Sequence, residues 1–208
     1  MSEEKDLLLP VSLGEALDKL TILDIKLHNV KDDRKHFIET EYKLLFNKLE
    51  SYVSKYNNLY QILKNINMII WDLMNDLRDG NLNEKEYYIK CKECIDYNDI
   101  RFRAKNKINF VSNSLLKEKK GYNISRIYIN TENIYNYVKE IKCLSFIYDE
   151  VIIYCNEIVN IDFNDETIIF VNDINFNYSE NTVKFVLLDN ELIMKLNIKD
   201  NIIKIFSS

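Results

Sequence analysis

Apolar side chains recur every three or four residues through the first 120 positions, which is the spacing of amphipathic helices. Ser12 and Glu15 form an S-x-x-E capping box, which predicts a first helix that runs to about Val30. Three more helices are predicted, over residues 33–55, 59–79 and 84–119. Because only short links join them, the pattern predicts a bundle of long helices.

The pattern changes after Gly121, where apolar and polar residues alternate as they do in strands. "SRIYIN" and "EVIIYC" predict two strands, and a helix from Thr131 to about Phe146 completes a β-α-β unit. Five later segments predict an antiparallel meander: "IVNIDF", "TIIFVN", "TVKFVLL", "ELIMKLNI" and "IIKIF". The predicted fold class is therefore α+β, with a helical bundle domain over residues 1–122 and a small β-rich module over residues 123–208.

The distribution of charge supports the same boundary. Residues 1–123 carry 21 basic and 20 acidic side chains, whereas residues 124–208 carry 7 and 13. Seven of the basic residues lie between Arg101 and Lys120, a stretch that also contains Phe102 and Phe110. A net charge of −5 argues against nucleic acid as a partner, because the acidic module would repel phosphates.

Motifs that would assign a reaction are missing from the chain. With only 3 glycines there is no glycine-rich phosphate loop, and Cys91-x-x-Cys94 falls inside a predicted helix with no second ligand pair. We therefore expect no metal and no cofactor, and the sequence leaves open whether the protein is an enzyme and which residues would be catalytic. No apolar run approaches the roughly 20 residues of a membrane span, and we expect a cytoplasmic protein.

One charged residue of the first helix differs from its neighbours. Glu15, Lys19 and Lys26 fall opposite the apolar stripe with Asp18 beside them, so solvated positions are expected for this set. Asp24 instead projects into the stripe between Leu13, Leu17 and Leu20. A carboxylate there is costly unless it is paired, and we predict a buried partner for Asp24.

Four ordered motifs carry a family resemblance over residues 9–122: "PVSLGEALDKLTILDIKL", "WDLMNDLR", "NDIRFRAKNKIN" and "KEKKGY". They resemble an uncharacterised family of helical domains in bacteria and large DNA viruses, often near or fused to glycosyltransferase-like proteins. Where that family tends to carry two acids after the tryptophan, this chain has Met74 and Asn75. "EIKCLSFIYDEVIIYC" is similar to a strand–helix–strand fragment of the glycosyltransferase-like domains. The resemblance implies a glycan-pathway context without a mechanism.

Two functions of different classes remain open. The first is a non-catalytic interaction or assembly protein of glycan biosynthesis, whose long apolar stripes contact a protein partner or a second copy. The alternative is a site for a nucleotide sugar or another anionic small molecule, or a transferase-related enzyme, on the polar face of the helices. Arginine and lysine suit phosphate or carboxylate oxygens. The candidate ligand-binding residues, all at positions that match the family, are Glu15, Asp18, Asp24, Trp71, Arg78, Asn98, Arg101, Lys105, Asn109 and Lys120.

Overall fold

The computed structural model describes residues 9–119, 121, 124–130, 134–154 and 161–171, and the backbone of residues 183–187. The helices are α1 (Leu13–Asn29), α2 (Lys35–Lys55), α3 (Asn57–Arg78), α4 (Glu84–Val111) and α5 (Val138–Ile147), with a 3₁₀ turn (Ile134–Tyr137) leading into α5. The strands are β1 (Arg126–Asn130), β2 (Glu150–Tyr154), β3 (Ile168–Val171) and β4 (Val183–Leu187). The predicted α+β class is confirmed, with the helices first and a small strand module after them.

The starts and stops of the first three helices follow local chemistry. The Ser12 hydroxyl accepts a hydrogen bond from the backbone N–H of Glu15 at 3.2 Å, which is the serine half of the predicted capping box, whereas the Glu15 side chain bonds to Lys105. Only Tyr56, with φ −112° and ψ 31°, separates α2 from α3. Beyond α3, Gly80 has a φ of 69°, the left-handed conformation that commonly terminates a helix.

The fourth helix is shorter than the sequence predicts, because α4 ends at Val111 and not near residue 119. Asn113 takes a left-handed φ of 52° and its N–H donates to the Phe110 carbonyl at 3.0 Å. The N–H of Ser114 donates to the Asn109 carbonyl at 2.9 Å. This pair of bonds is a Schellman motif, with asparagine in the place that glycine usually takes.

The core of the helical part is built on the antiparallel α3–α4 hairpin, against which α1 packs. Asp76 and Lys90 form an ion pair at 2.8 Å near the turn, and the Tyr56 hydroxyl donates to the Val111 carbonyl at 3.4 Å at the far end. The fully buried side chains between the three helices are Leu17, Leu20, Leu63, Ile66, Ala104 and Ile108. Within the described residues, no helix has the combination of length and apolar character that a membrane crossing requires.

The described strands form one sheet in the order β3-β2-β1-β4, and every pair is parallel. The predicted β-α-β unit is present as β1, α5 and β2. The antiparallel meander is wrong for "TIIFVN" and "TVKFVLL", because β3 runs parallel to β2 and β4 runs parallel to β1. Thirteen residues separate β2 from β3, enough for a crossover, whereas a tight hairpin needs about two.

Other predicted strands have different outcomes. In "IVNIDF", residues 161–163 have no strand structure, while the first three residues lie outside the described residues. "ELIMKLNI" and "IIKIF" also lie outside them, as do positions 122 and 123, where the boundary between the two modules is predicted. Apolar residues of the sheet and of α5, with Ile127, Val151 and Ile141 fully buried, form a cluster separate from the helical core. Phe146 of α5 packs into the helical core and joins the two parts.

Candidate functional site

Helices α1 and α4 approach each other closely where α1 begins. A Cβ atom on Gly14 would collide with the backbone carbonyl oxygen of Lys105 in α4. The N–H of Gly14, which is unsatisfied within its own helix turn, donates to Asn109 Oδ1 at 2.7 Å. Glycine therefore allows α1 to contact the α4 backbone directly, and this contact brings the polar residues of both helices together.

A buried polar network surrounds this crossing. The ammonium group of Lys105, buried on α4, donates to Glu15 of α1 and to Glu118 at 2.7 Å. Burial by itself would lower the pKa of Lys105, but the bonds to Glu118 and Glu15 outweigh it and the pKa is raised. Lys105 is thus held as a cation by two carboxylates of its own chain.

The network continues from α1 to α3. Asp18 is buried, contrary to the expected solvated position, and its Oδ1 accepts from Asn67 Nδ2 at 2.7 Å. The same amide donates to Thr21 Oγ1 at 2.8 Å, and the Thr21 hydroxyl donates to the Asp18 carbonyl. Asn67 and Thr21 were not among the candidate residues. Their signal in the sequence is weak, because a short polar residue on an apolar face has no partner until the helices are packed.

Asp24 belongs to a different contact from the other candidates. Its side chain is 15% exposed and pairs with Lys64 of α3 at 2.6 Å, with His28 at 3.4 Å. The prediction that Asp24 is largely buried and paired is confirmed, although Lys64 was not anticipated. Lys64 lies on α3 and is not one of the basic residues that the candidate site was built from.

The remaining candidates do not gather around Lys105. In the register of the α3–α4 hairpin, Arg78 lies opposite about residue 89 of α4. That position is about 18 Å from Arg101 along the axis of α4. Arg78 is exposed at the end of α3, Arg101 and Trp71 are half-buried, and Asn98 donates to the Cys94 carbonyl at 3.2 Å. Lys120 lies outside the described residues. The structure therefore brings together Glu15, Asp18, Lys105 and Asn109, and separates Arg78 from them.

A second charged cluster connects α4 to the sheet. Arg103 Nε donates to Asp149 Oδ1 at 2.8 Å, and Ser125 donates to the other oxygen of Asp149 through its N–H and its hydroxyl. One turn further, Lys107 Nζ lies 2.5 Å from Asp165 Oδ2 and 4.8 Å from the centre of the Phe146 ring. Sequence reasoning noted the basic residues of this stretch, but Arg103 and Lys107 were not among the candidate residues. Their partners lie just before β2 and β3, more than 40 residues away.

Both acids of this cluster are held in the charged form. Burial opposes the charge of Asp149 and of Asp165, but the bonds from Arg103 and Ser125 lower the pKa of Asp149 below its ordinary value. Lys107 and Thr167 lower the pKa of Asp165 in the same way. The carboxylate of Asp165 also accepts from the Ser145 hydroxyl at 2.9 Å. The two ion pairs stabilise the contact between the helices and the sheet.

Acid is therefore expected to destabilise the protein through these two groups. A carboxylate with a lowered pKa stabilises the fold fully above its unfolded pKa of about 3.9 and loses that contribution as the pH falls further. Urea denaturation at a series of pH values should show the free energy of unfolding dropping below pH about 4. Asp165→Asn should flatten this drop, and Asp79→Asn, at an exposed carboxylate, should leave it unchanged. An equally steep drop in Asp165→Asn would contradict the assignment.

The contacts of the two polar clusters stabilise the packing of the helices and the sheet. Among the described residues, no group of histidine, cysteine and acidic side chains is placed to hold a metal ion. Cys91 and Cys94 are free thiols on α4, and the Cys94 sulfur lies 3.6 Å from that of Met74. The charged residues brought together at both clusters are bonded to other residues of this chain. The chain matches no protein-family model, and no curated protein or solved structure is significantly similar to it.

Proposed function

We propose that this protein is a non-catalytic assembly protein whose fourth helix binds a second copy of the chain. Two of the charged residues considered for a ligand are paired inside the molecule, Lys105 with Glu15 and Glu118 and Asp24 with Lys64. An anionic ligand at that face would have to displace these carboxylates. The exposed helical surface carries several large apolar side chains among its charged residues, and these side chains suit a protein contact better than an anion.

The sheet covers one face of α4 in the second half of the helix, whereas the same face is open to solvent in the first half, and this difference supports the proposal. Phe102, Asn106 and Phe110 lie along one stripe of the helix and line its contact with the sheet. The same stripe extends towards the start of the helix through Tyr88 and Ile95, whose side chains are 70% and 63% exposed. Contiguous exposed apolar surface is a feature of protein interaction sites, and Tyr88 and Ile95 lie on the same face of α4.

The charges beside the open half of α4, from Tyr88 to Ile95, favour a second copy of the chain as the binding partner. Lys85 lies near the beginning of this stripe and Asp96 near its end. When two such helices pair in antiparallel fashion about a twofold axis near residue 92, Tyr88 of one packs on Ile95 of the other. Each Lys85 then lies within a helical turn of Asp96 in its partner. A twofold interface must be self-complementary, and Lys85 and Asp96 supply one pair of opposite charges of this kind.

Sedimentation velocity over a range of concentrations tests the proposal. We expect a dimer for the unaltered chain and a monomer for the double variant Tyr88→Glu and Ile95→Glu, because each glutamate would place a charge in the apolar contact. Phe37→Glu is the matched control, since Phe37 is an equally exposed aromatic residue (75%) on α2.

Exchanging the charges of Lys85 and Asp96 distinguishes self-association from the binding of a different partner on this surface. Lys85→Glu should weaken the dimer, and adding Asp96→Lys in the same chain should restore it, because the pair is re-formed with opposite signs. A monomer at every concentration, or equal dissociation by Phe37→Glu, would refute the proposal.

The glycan-pathway association rests on the family resemblance of residues 9–122. It adds a proposed context, in which the assembled helices organise an enzyme of glycan synthesis. Binding of a nucleotide sugar remains the alternative, and it would require Lys105 to exchange Glu15 or Glu118 for the ligand.

A further inference from the structure

A cleft of about 300 Å³ lies between the second half of α4 and the ends of the strands where β1, β2 and β3 begin. It is on the face of α4 that carries Phe102, Asn106 and Phe110, and its other wall includes Ile124 and Ile169. This cleft is separate from the polar network around Lys105 and from the open half of α4. Of the candidate residues predicted from the sequence, those that the structure describes do not line it.

The side chains that line the cleft carry four carboxylates and three cations, and two further cations beside it, Arg126 and Lys117, pair with acids of the lining. Each of the four carboxylates that line it pairs with a basic residue: Asp149 with Arg103, Asp165 with Lys107, Glu150 with Arg126 and Glu166 with Lys117. Lys119 also lines the cleft and is exposed, and it has no ion pair within the part of the chain that the structure describes. The cleft can therefore accept one negative charge, at the position of Lys119, without displacing an existing pair.

Apolar side chains on both walls of the cleft suit the apolar part of a small molecule. Phe102 and Phe110 lie one helical turn on either side of Asn106, so their rings flank the same stretch of the helix. On the opposite wall, Ile124 and Ile169 remain 45% and 38% exposed. Small-molecule sites combine such apolar walls with a few polar groups, and a volume of about 300 Å³ is at the small end of their range.

We propose that this cleft binds an amphipathic monoanion, an aromatic or short acyl carboxylate, with its apolar body between the phenylalanines and the isoleucines. The carboxylate contacts Lys119 at the open side. A polyanion such as a diphosphate would need more cations than Lys119 supplies, because Arg103 and Lys107 already pair with Asp149 and Asp165. The proposal does not depend on dimer formation, since none of the residues that line the cleft belongs to the open half of α4.

Titration calorimetry with naphthoate as the probe, and uncharged naphthamide as its isosteric control, tests the assignment. We expect naphthoate to bind more tightly than naphthamide. Lys119→Gln should weaken naphthoate binding roughly threefold to fivefold, the size expected for one exposed ion pair, and should not change naphthamide binding. Lys119→Arg should restore the affinity. Lys48→Gln, at an exposed lysine on α2, is the matched control and should have no effect.

A variant that fills the cleft tests its location. Ile124→Trp adds bulk to a side chain that is already partly exposed, so we expect the fold to be retained and naphthoate affinity to fall at least about tenfold. Circular dichroism checks the fold of each variant. Equal affinity for naphthoate and naphthamide, equal effects of Lys119→Gln and Lys48→Gln, unchanged binding in Ile124→Trp, or no binding at all would each overturn the proposal.

Discussion

Gly14→Ala is expected to lower the free energy of unfolding by about 3 kcal/mol. The added methyl group would overlap the carbonyl oxygen of Lys105, and this oxygen belongs to the backbone of α4 and cannot rotate away. The two helices would have to separate, and the bond from Gly14 N–H to Asn109 would lengthen. Thermal unfolding should show a midpoint lower by roughly 10 °C for a domain of this size.

The matched control for this change is Gly121→Ala, where a Cβ atom meets nothing within 4 Å. The same substitution there should change stability by less than about 0.5 kcal/mol. If both variants unfold at the same urea concentration, the close helix contact does not limit stability. A loss confined to Gly14→Ala would show that the α1–α4 crossing is fixed by the absence of a side chain.

The helices were predictable because their signals are local. The Ser12 cap and the spacing of apolar residues fixed α1, and Gly80 marked the end of α3. The end of α4 was placed too late, because Asn113 terminates it in a conformation that glycine more commonly adopts. Basic residues beyond Asn113 were read as a continuation of the helix, since charge alone does not separate a helix from a polar loop.

The pairing of the strands was less predictable than their positions. Alternation identifies a strand and its two faces, but it contains no information about which strand lies beside it. The short acidic and asparagine-rich segments near β3 were taken as hairpin turns. In the structure Asp165, within such a segment, instead accepts hydrogen bonds from Thr167 and from Lys107 of the distant α4. A contact across 58 residues cannot be inferred from a local pattern.

The candidate site was predicted in part, for the same reason. Asp24 stood out because a carboxylate in an apolar stripe requires a partner, whereas Asp18 did not, since its burial depends on how closely α1 approaches its neighbours. Arg103 was not among the candidates at all, although its side chain is buried and donates hydrogen bonds to Asp149 and Ser125. Sequence patterns indicate which charges need partners more reliably than they identify those partners.

Lys107→Met is expected to destabilise the protein by about 3–5 kcal/mol, the range for removing one member of a buried ion pair. The change preserves the length and apolar contacts of the side chain next to Phe146 but leaves the charge of Asp165 uncompensated. Adding Asp165→Asn to Lys107→Met should recover part of the loss, because the neutral amide no longer requires a cation. Equilibrium denaturation in urea measures both variants against the unaltered chain.

Lys117→Met removes a lysine from the same region and provides the comparison. Lys117 pairs with Glu166 at 3.3 Å, and both side chains are more than a third exposed, so its loss should cost less than about 1 kcal/mol. The difference between the two variants measures the effect of burial, since both remove one positive charge near the sheet. Equal losses would mean that Lys107 contributes only general attraction to the acidic module. A much larger loss for Lys107→Met, partly reversed by Asp165→Asn, is the result expected if this pair holds the helices and the sheet together.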